Sequence, residues 1–98
     1  MQILIHAPWE VNEYLETVIR EKVGKLTTYY DRIERADVYL KMGDATAPEA
    51  KLLEIRLAVP KDDLFAKDVG ESFEQAVAGA AEKLRRQLLK RKDKLSAR

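Results

Sequence analysis

Two neighbouring stretches of alternating apolar and polar residues limit the folds open to this chain. The first is Ala36–Met42, and the second, Lys51–Val59, places apolar side chains at every other position. A period of two is typical of strands with one buried face. The segment between them, Gly43–Ala50, contains Gly, Asp, Thr and Pro but no large apolar residue, which predicts an exposed hairpin loop. The pattern therefore predicts two antiparallel strands, with the second burying Leu53, Ile55, Leu57 and Val59.

Two weaker strands are predicted outside this pair. Gln2–His6 is rich in β-branched and aliphatic residues and ends before Pro8, which has no amide hydrogen for a sheet ladder. After the turn residues Pro60–Asp63, the segment Leu64–Lys67 predicts a short fourth strand.

Helical periodicity marks two further segments. Asn12 is a suitable N-cap for a helix that we expect to run to about Tyr30, because apolar residues recur at helical spacing. The second helix starts at one of two capping-box patterns, Asp68–Glu71 or Ser72–Gln75. Its apolar stripe is formed by Phe73, Val77, Ala80, Leu84 and Leu88.

The element order is therefore β-α-β-β-β-α, which places the chain in the α+β class. Short loops predict antiparallel pairing of strands two to four, whereas a helical crossover from strand one predicts a parallel neighbour. The result is a four-stranded mixed sheet with both helices on one face. With 98 residues and 46% hydrophobic content, the chain is expected to form a single domain, residues 1–98.

Positive charge is concentrated at the end of the chain. Residues 82–98 carry eight of the eighteen Lys and Arg residues with two acids, whereas residues 1–81 are net negative, so the overall charge of +1 hides a basic pole. On a helical wheel Lys83, Arg86, Lys90 and Lys94 form one basic row beside the apolar stripe. Clustered cations along one helix are typical of phosphate recognition. Complementation of the helix dipole and solubility are the alternative explanation.

Other residues near the basic row allow two interpretations. Gly79 lies at the N-terminal end of the row, where it would either allow close approach of a ligand or make room for a core side chain. Arg85 and Lys92 fall on the opposite flank and resemble solvated charge.

On the first helix, Lys22 and Lys25 share a flank with Tyr29, and these lysines either bind a polyanion or extend along the rim of the core.

The sequence contains no arrangement typical of an enzyme or a cofactor site. It has no cysteine, and its single histidine, His6, has no neighbouring nucleophile or metal-ligand spacing. The four glycines are too scattered for a phosphate-binding loop. Trp9 is interpreted as a hydrophobic lid at the helix entry rather than as a base-stacking platform. We therefore expect no catalytic activity, no cofactor and no metal.

Two stretches resemble the ribosome hibernation-promoting factor family of bacterial translation inhibitors. The first runs from Lys22–Leu26 through Tyr30–Ile33 into Ala36–Lys41, and the second runs from Phe73 to Leu95. The resemblance spans nearly the whole chain. It implies a fold similar to that of double-stranded-RNA-binding domains.

The resemblance also implies a function and a set of contact residues. It implies a protein that lies in the channel used by mRNA and tRNA on the small ribosomal subunit, blocks initiation and stores inactive ribosomes. The family's basic contacts map to Lys22, Lys25, Lys83, Arg86, Lys90 and Lys94. The chain ends soon after the second helix, as in short members, which would need a separate factor to dimerise ribosomes. The segment Ile5–Glu10 lacks the glycine and asparagines expected there.

These observations predict a cytoplasmic protein whose partners are the small ribosomal subunit and its rRNA. The N-terminus has no signal-peptide pattern and no apolar run has membrane-spanning length, so no membrane partner is expected. No DNA partner is expected. The alternative is a basic-helix interaction module that binds another RNA or an acidic protein instead of the ribosome.

Overall fold

The structure is a computed structural model that describes the backbone of residues 1–43 and 45–96 and the side chains of residues 1–43 and 45–91. Its elements follow the predicted order, with a short 3₁₀ helix added. They are β1 (Gln2–His6), α1 (Glu13–Gly24), the 3₁₀ helix (Lys25–Thr28), β2 (Arg35–Met42), β3 (Lys51–Val59), β4 (Asp62–Gly70) and α2 (Phe73–Ser96).

The four strands form one mixed sheet in the order β1-β2-β3-β4. β1 runs parallel to β2, with Gln2 opposite Arg35, because the chain crosses over through α1. β3 pairs antiparallel with both β2 and β4. The predicted α+β class and mixed sheet are thus confirmed.

Both helices pack on one face of this sheet. The core lies between the helices and the sheet. It includes the predicted inward residues of β3 and the predicted apolar stripe of α2. The side chains of Ile19, Val23, Leu26, Leu84 and Leu88 are almost completely buried. The other sheet face carries side chains that alternate with the core residues, and no element described by the structure covers it. On that face Phe65 and Val69 remain 53% and 54% exposed.

The first helix ends earlier than the sequence predicts. α1 stops at Gly24, and the chain tightens into the 3₁₀ helix instead of continuing as α-helix to Tyr30. The hydroxyls of Thr27 and Thr28 donate to the carbonyls three residues earlier, at 2.8 and 2.7 Å. Such local hydrogen bonds compete with regular helix geometry. The prediction of one helix to Tyr30 was therefore wrong, although Tyr30 is buried as expected.

Two other boundaries are also corrected. β4 covers nine residues rather than only Leu64–Lys67, and β2 begins one residue earlier than Ala36. Of the two capping boxes, the second is used, because the Gln75 amide donates to the Ser72 hydroxyl at 3.2 Å. Asp68 belongs to β4, so the first box is not a helix start.

The helix entry is closed by an aromatic contact. The ring centroids of Trp9 and Phe73 lie 5.6 Å apart, and Trp9 is half-buried against the core. Its interpretation as a hydrophobic lid is confirmed.

Over the described residues, neither helix has the length and apolar character needed to span a membrane.

Candidate nucleic-acid interface

Helix α2 has four sides with different environments. Its apolar side packs on the sheet, one flank faces β4 and the other faces α1. The side opposite the core points to solvent. The described cations of α2 lie on the last three of these sides: Lys83 and Arg91 on the β4 flank, Arg85 on the α1 flank and Arg86 on the solvent side.

The flank towards β4 is tied to this edge strand and to the turn before it by three side chains spaced four residues apart. Lys83 donates to the Lys67 carbonyl at 2.8 Å, Gln87 donates to the Phe65 carbonyl at 2.8 Å, and Arg91 donates to the Pro60 carbonyl at 3.1 Å. Unpaired carbonyls of an edge strand are a template for unwanted strand pairing, so these contacts protect the edge. Lys83 thus has an intramolecular partner, yet its side chain remains 52% exposed.

Gly79 lies on the same flank, and its role differs from both predictions. A Cβ atom at this position would overlap with the Asp68 carboxylate of β4. The missing side chain therefore admits a polar group from the neighbouring strand, rather than a core side chain. Asp68 also lies 3.8 Å from Lys83 and accepts a hydrogen bond from the Val69 amide at 2.8 Å.

Arg86 and Lys90 are the most accessible predicted contacts on α2. The Arg86 side chain is 72% exposed on the solvent side, and its Nε lies 3.5 Å from the Glu82 carboxylate. Lys90 is exposed and lies seven residues beyond Lys83, on nearly the same flank. Lys94 is on α2 as expected, but its side chain lies outside the described residues.

A groove between the two helices collects cations from both of them. It has a volume of about 170 Å³ and is bordered by Lys22, Lys25 and Tyr29 on one side and by Ala81 and Arg85 on the other. Lys22 and Lys25 are exposed. The structure thus brings the two predicted lysines of α1 and the 3₁₀ helix together with Arg85, and not with Lys83, which lies on the opposite flank of α2.

The Arg85 guanidinium is held in place by two contacts. It donates to both oxygens of Glu82, at 2.9 and 2.6 Å, and lies 5.8 Å from the centroid of the Tyr29 ring. The hydrogen bond from Arg85 holds the pKa of Glu82 below its usual value. Glu82 therefore stays ionised at neutral pH and partly offsets the charge of both Arg85 and Arg86.

Arg85 lines this groove, although the sequence did not identify it as a candidate contact. A wheel of α2 alone places it opposite the basic row, where it resembles solvated charge. Packing against α1 turns that flank into one wall of a groove. The signal that could have revealed it is the pair of small residues Ala78 and Ala81, since small residues let a second helix approach closely.

The arrangement is suited to binding phosphates. Arginine and lysine side chains on the helical face offer several donors to phosphate oxygens, and arginine can form two parallel hydrogen bonds to one phosphate group.

The single histidine lies away from this helical face. His6 Nε2 donates to the buried Asp37 carboxylate at 2.9 Å, and its ring stacks on Tyr39 with ring centroids 4.7 Å apart. Within the described part of the chain, no group of acidic, His or Cys side chains could hold a metal ion.

Comparison with known proteins agrees with this fold. Residues 6–96 match the model of the family described as sigma 54 modulation protein / S30EA ribosomal protein. Because this match covers most of the chain, the protein belongs to that family.

Several bacterial proteins are similar to the chain over most of its length. The ribosome hibernation promoting factor of Escherichia coli K12 is 35% identical over 86 residues, covering 88% of this chain and 86% of that protein. The proteins of the same name from Salmonella typhimurium and Klebsiella oxytoca are 33% and 30% identical over the same shares.

Two solved structures share the fold. A ribosomal subunit interface protein from Coxiella burnetii superposes with a TM-score of 0.84 at 17% identity, covering 95% of this chain and 99% of that one. The N-terminal domain of Protein Y from Thermus thermophilus has a TM-score of 0.75 at 20% identity, with 92% and 98% covered.

Proposed function

We propose that this chain is a ribosome hibernation factor. It binds rRNA of the small ribosomal subunit in the channel used by mRNA and tRNA, inhibits translation and favours inactive, stored ribosomes. The observation that carries the proposal is the set of exposed cations on the helical face, on a chain that belongs to the S30EA family. Its similarity to ribosome hibernation promoting factors of other bacteria supports the same function.

The binding surface consists of the inter-helix groove and the exposed side of α2. Lys22, Lys25 and Arg85 contact phosphates at the groove, while Arg86 and Lys90 extend the contact along α2. Lys83 and Lys94 contribute at the β4 flank and at the helix end. Each neutralised phosphate releases counterions, which favours binding without a chemical step. The protein therefore acts without catalysis, cofactor or metal.

Shape complements this charge. Double-stranded RNA hides its base edges in a deep, narrow major groove. A small rigid domain therefore recognises folded RNA mainly through the sugar-phosphate backbone of the RNA. In this proposal residues 1–98 act as one cytoplasmic ribosome-binding domain, without a DNA or membrane partner. A separate ribosome-dimerising factor is a further partner in this proposal.

Co-sedimentation and cell-free translation test the proposal together. The protein is expected to migrate with small subunits in sucrose gradients at one copy per subunit and to lower protein synthesis at saturation. If about five cations each neutralise a phosphate, log affinity falls against log salt with a slope of roughly −3.5 to −4.5. Binding to ribosomes and to unrelated RNA or acidic protein with equal affinity would instead support a general basic-helix module. Absence of co-sedimentation together with unchanged synthesis would contradict the proposal.

A further inference from the structure

The open face of the sheet contains a groove that the proposed helical surface does not use. It lies where β2, β3 and β4 run side by side and has a volume of about 430 Å³. Apolar atoms of Tyr39, Leu52 and Val69 line it, and the latter two are 36% and 54% exposed. Lys41, Lys67 and Lys83 stand around it.

The groove is lined by three lysines and two acids, Glu54 and Asp68, so its net charge of +1 favours an anionic occupant. Among the described residues, neither Lys41 nor Lys67 forms an ion pair or a side-chain hydrogen bond, so both ammonium groups are available. Lys83 connects the groove with α2, since it donates to the Lys67 carbonyl across the β4 edge. A polyanion bound along the α2 flank can therefore continue over this edge onto the sheet. Such a path suits a single RNA strand, whose phosphates would follow the lysines.

Two side chains in the groove are suited to a nucleobase. His6 covers part of the Tyr39 ring by stacking at 4.7 Å and 15°, which fixes the ring beside the groove. Aromatic rings on sheet surfaces are common partners of unpaired bases. Glu54 also lines the groove, and no described residue forms an ion pair or hydrogen bond with its carboxylate. A free carboxylate accepts hydrogen bonds from an exocyclic amino group such as that of cytosine.

We propose that this groove binds one unpaired, amino-bearing base of a single RNA strand. Tyr39, Leu52 and Val69 contact the base, Glu54 accepts from its amino group, and Lys41, Lys67 and Lys83 contact the flanking phosphates. The inference rests on the proposed function, because Lys83 is shared with the helical surface. It adds a base-selective contact to a surface that otherwise recognises only backbone and shape.

Two labelled RNA octamers, one of cytidine and one of uridine, provide the matched probes. They differ at the base in two places: cytosine has an amino group and an unprotonated N3 where uracil has a carbonyl oxygen and an N3–H. Anisotropy titrations of the wild-type protein are expected to show roughly fivefold or greater preference for the cytidine octamer. A hydrogen bond to a charged group such as the Glu54 carboxylate contributes more free energy than one between neutral groups. In Glu54→Gln the preference should disappear, because an amide both donates and accepts. Equal affinity of the wild type for both octamers, or a preference that survives in Glu54→Gln, would overturn the inference.

The aromatic contact is tested separately. Tyr39→Leu should weaken binding of the cytidine octamer about tenfold, within the range for loss of one base stack. Tyr39→Phe keeps the ring and should bind nearly as wild type. Tyr14, which is 68% exposed on α1, supplies the control Tyr14→Leu. Wild-type affinity in Tyr39→Leu, with circular dichroism showing folded protein, would contradict a stacking role.

Further measurements separate this inference from competing ones. Displacement of the octamer by polyglutamate at equal charge concentration would show that the groove recognises acidic protein, and would overturn the proposal for RNA. If the protein co-sediments with small subunits but does not distinguish the octamers, the groove inference fails and the proposed function stands. If it distinguishes the octamers but does not co-sediment, the ribosomal function fails.

Discussion

The guanidinium of Arg85 on α2 lies 5.8 Å from the centroid of the Tyr29 ring at the end of the 3₁₀ helix. This contact joins the two helical elements at the groove where Lys22 and Lys25 also converge. It places Arg85 in the proposed RNA surface rather than in the solvent.

Loss of Arg85 should therefore weaken ribosome binding. Arg85→Ala is expected to lower affinity for the small subunit about tenfold, because a hydrogen-bonded charge pair with phosphate contributes on the order of 1.5–3 kcal/mol. The exposed Arg20, which pairs with Glu16 on α1, provides the matched control Arg20→Ala. Quantitative co-sedimentation measures both. Equal losses in the two variants would show that Arg85 acts only through net charge.

Removal of Glu82 should have the opposite effect. Its carboxylate competes with RNA phosphates for Arg85 and Arg86, and its lowered pKa keeps it ionised at neutral pH. Glu82→Gln is expected to tighten small-subunit binding by roughly two- to tenfold at low salt. The substitution removes a negative charge that repels RNA phosphates from the RNA-facing side of α2. Glu74→Gln, on the first turn of α2, is the control. Weaker binding of Glu82→Gln would instead mean that Glu82 is needed to orient Arg85.

A double-variant cycle tests the contact between Gly79 and Asp68. In an exposed helix, glycine to alanine normally stabilises by about 1 kcal/mol. Gly79→Ala alone should bring no such gain, because the new methyl group overlaps with the Asp68 carboxylate. In an Asp68→Ala background the gain should return. Urea unfolding measures all four proteins, and equal effects of Gly79→Ala in both backgrounds would refute the steric explanation.

Acid stability should depend on Asp37. Asp37 is 4% exposed, and although burial raises the pKa of its carboxyl group, hydrogen bonds from His6 and Arg35 outweigh that effect and hold the pKa below its ordinary value. Its contribution is thus present above the ordinary pKa and is lost as pH falls through the folded-state value. Asp37→Asn should cost about 1–2 kcal/mol at pH 7. The difference from wild type should shrink below about pH 4. A constant difference across urea titrations from pH 7 to 2 would contradict this account.

The sequence predicted the strands well, because their signals are local. Alternation in β3 and the proline after β1 fixed those boundaries as the structure has them. The end of α1 was missed because Thr27 and Thr28 bond to nearby carbonyls, an effect that apolar periodicity does not reveal. β4 was predicted too short because its exposed positions include apolar residues, Phe65 and Val69, which hide the alternation.

The candidate site could be predicted only in part. Charge and periodicity identified Lys22, Lys25, Arg86 and Lys90, all of which are exposed in the structure. They could not show that Lys83 bonds to the β4 edge, nor that Arg85 faces α1, because both depend on which elements pack on either side of α2. The open-face groove depends on three strands together, so no single segment carries its signal.

Binding of the small subunit through the helical surface is tested most directly with two charge-reversed proteins. Both are compared by co-sedimentation with small subunits at fixed salt. One carries Lys25→Glu, Arg86→Glu and Lys90→Glu on the proposed surface. The other carries Arg20→Glu, Arg32→Glu and Lys61→Glu, three exposed positions outside it, with the same change in net charge. The first protein is expected to lose binding while the second retains most of it, with both folded by circular dichroism. Equal loss in the two proteins would contradict a specific RNA-binding surface on the helices.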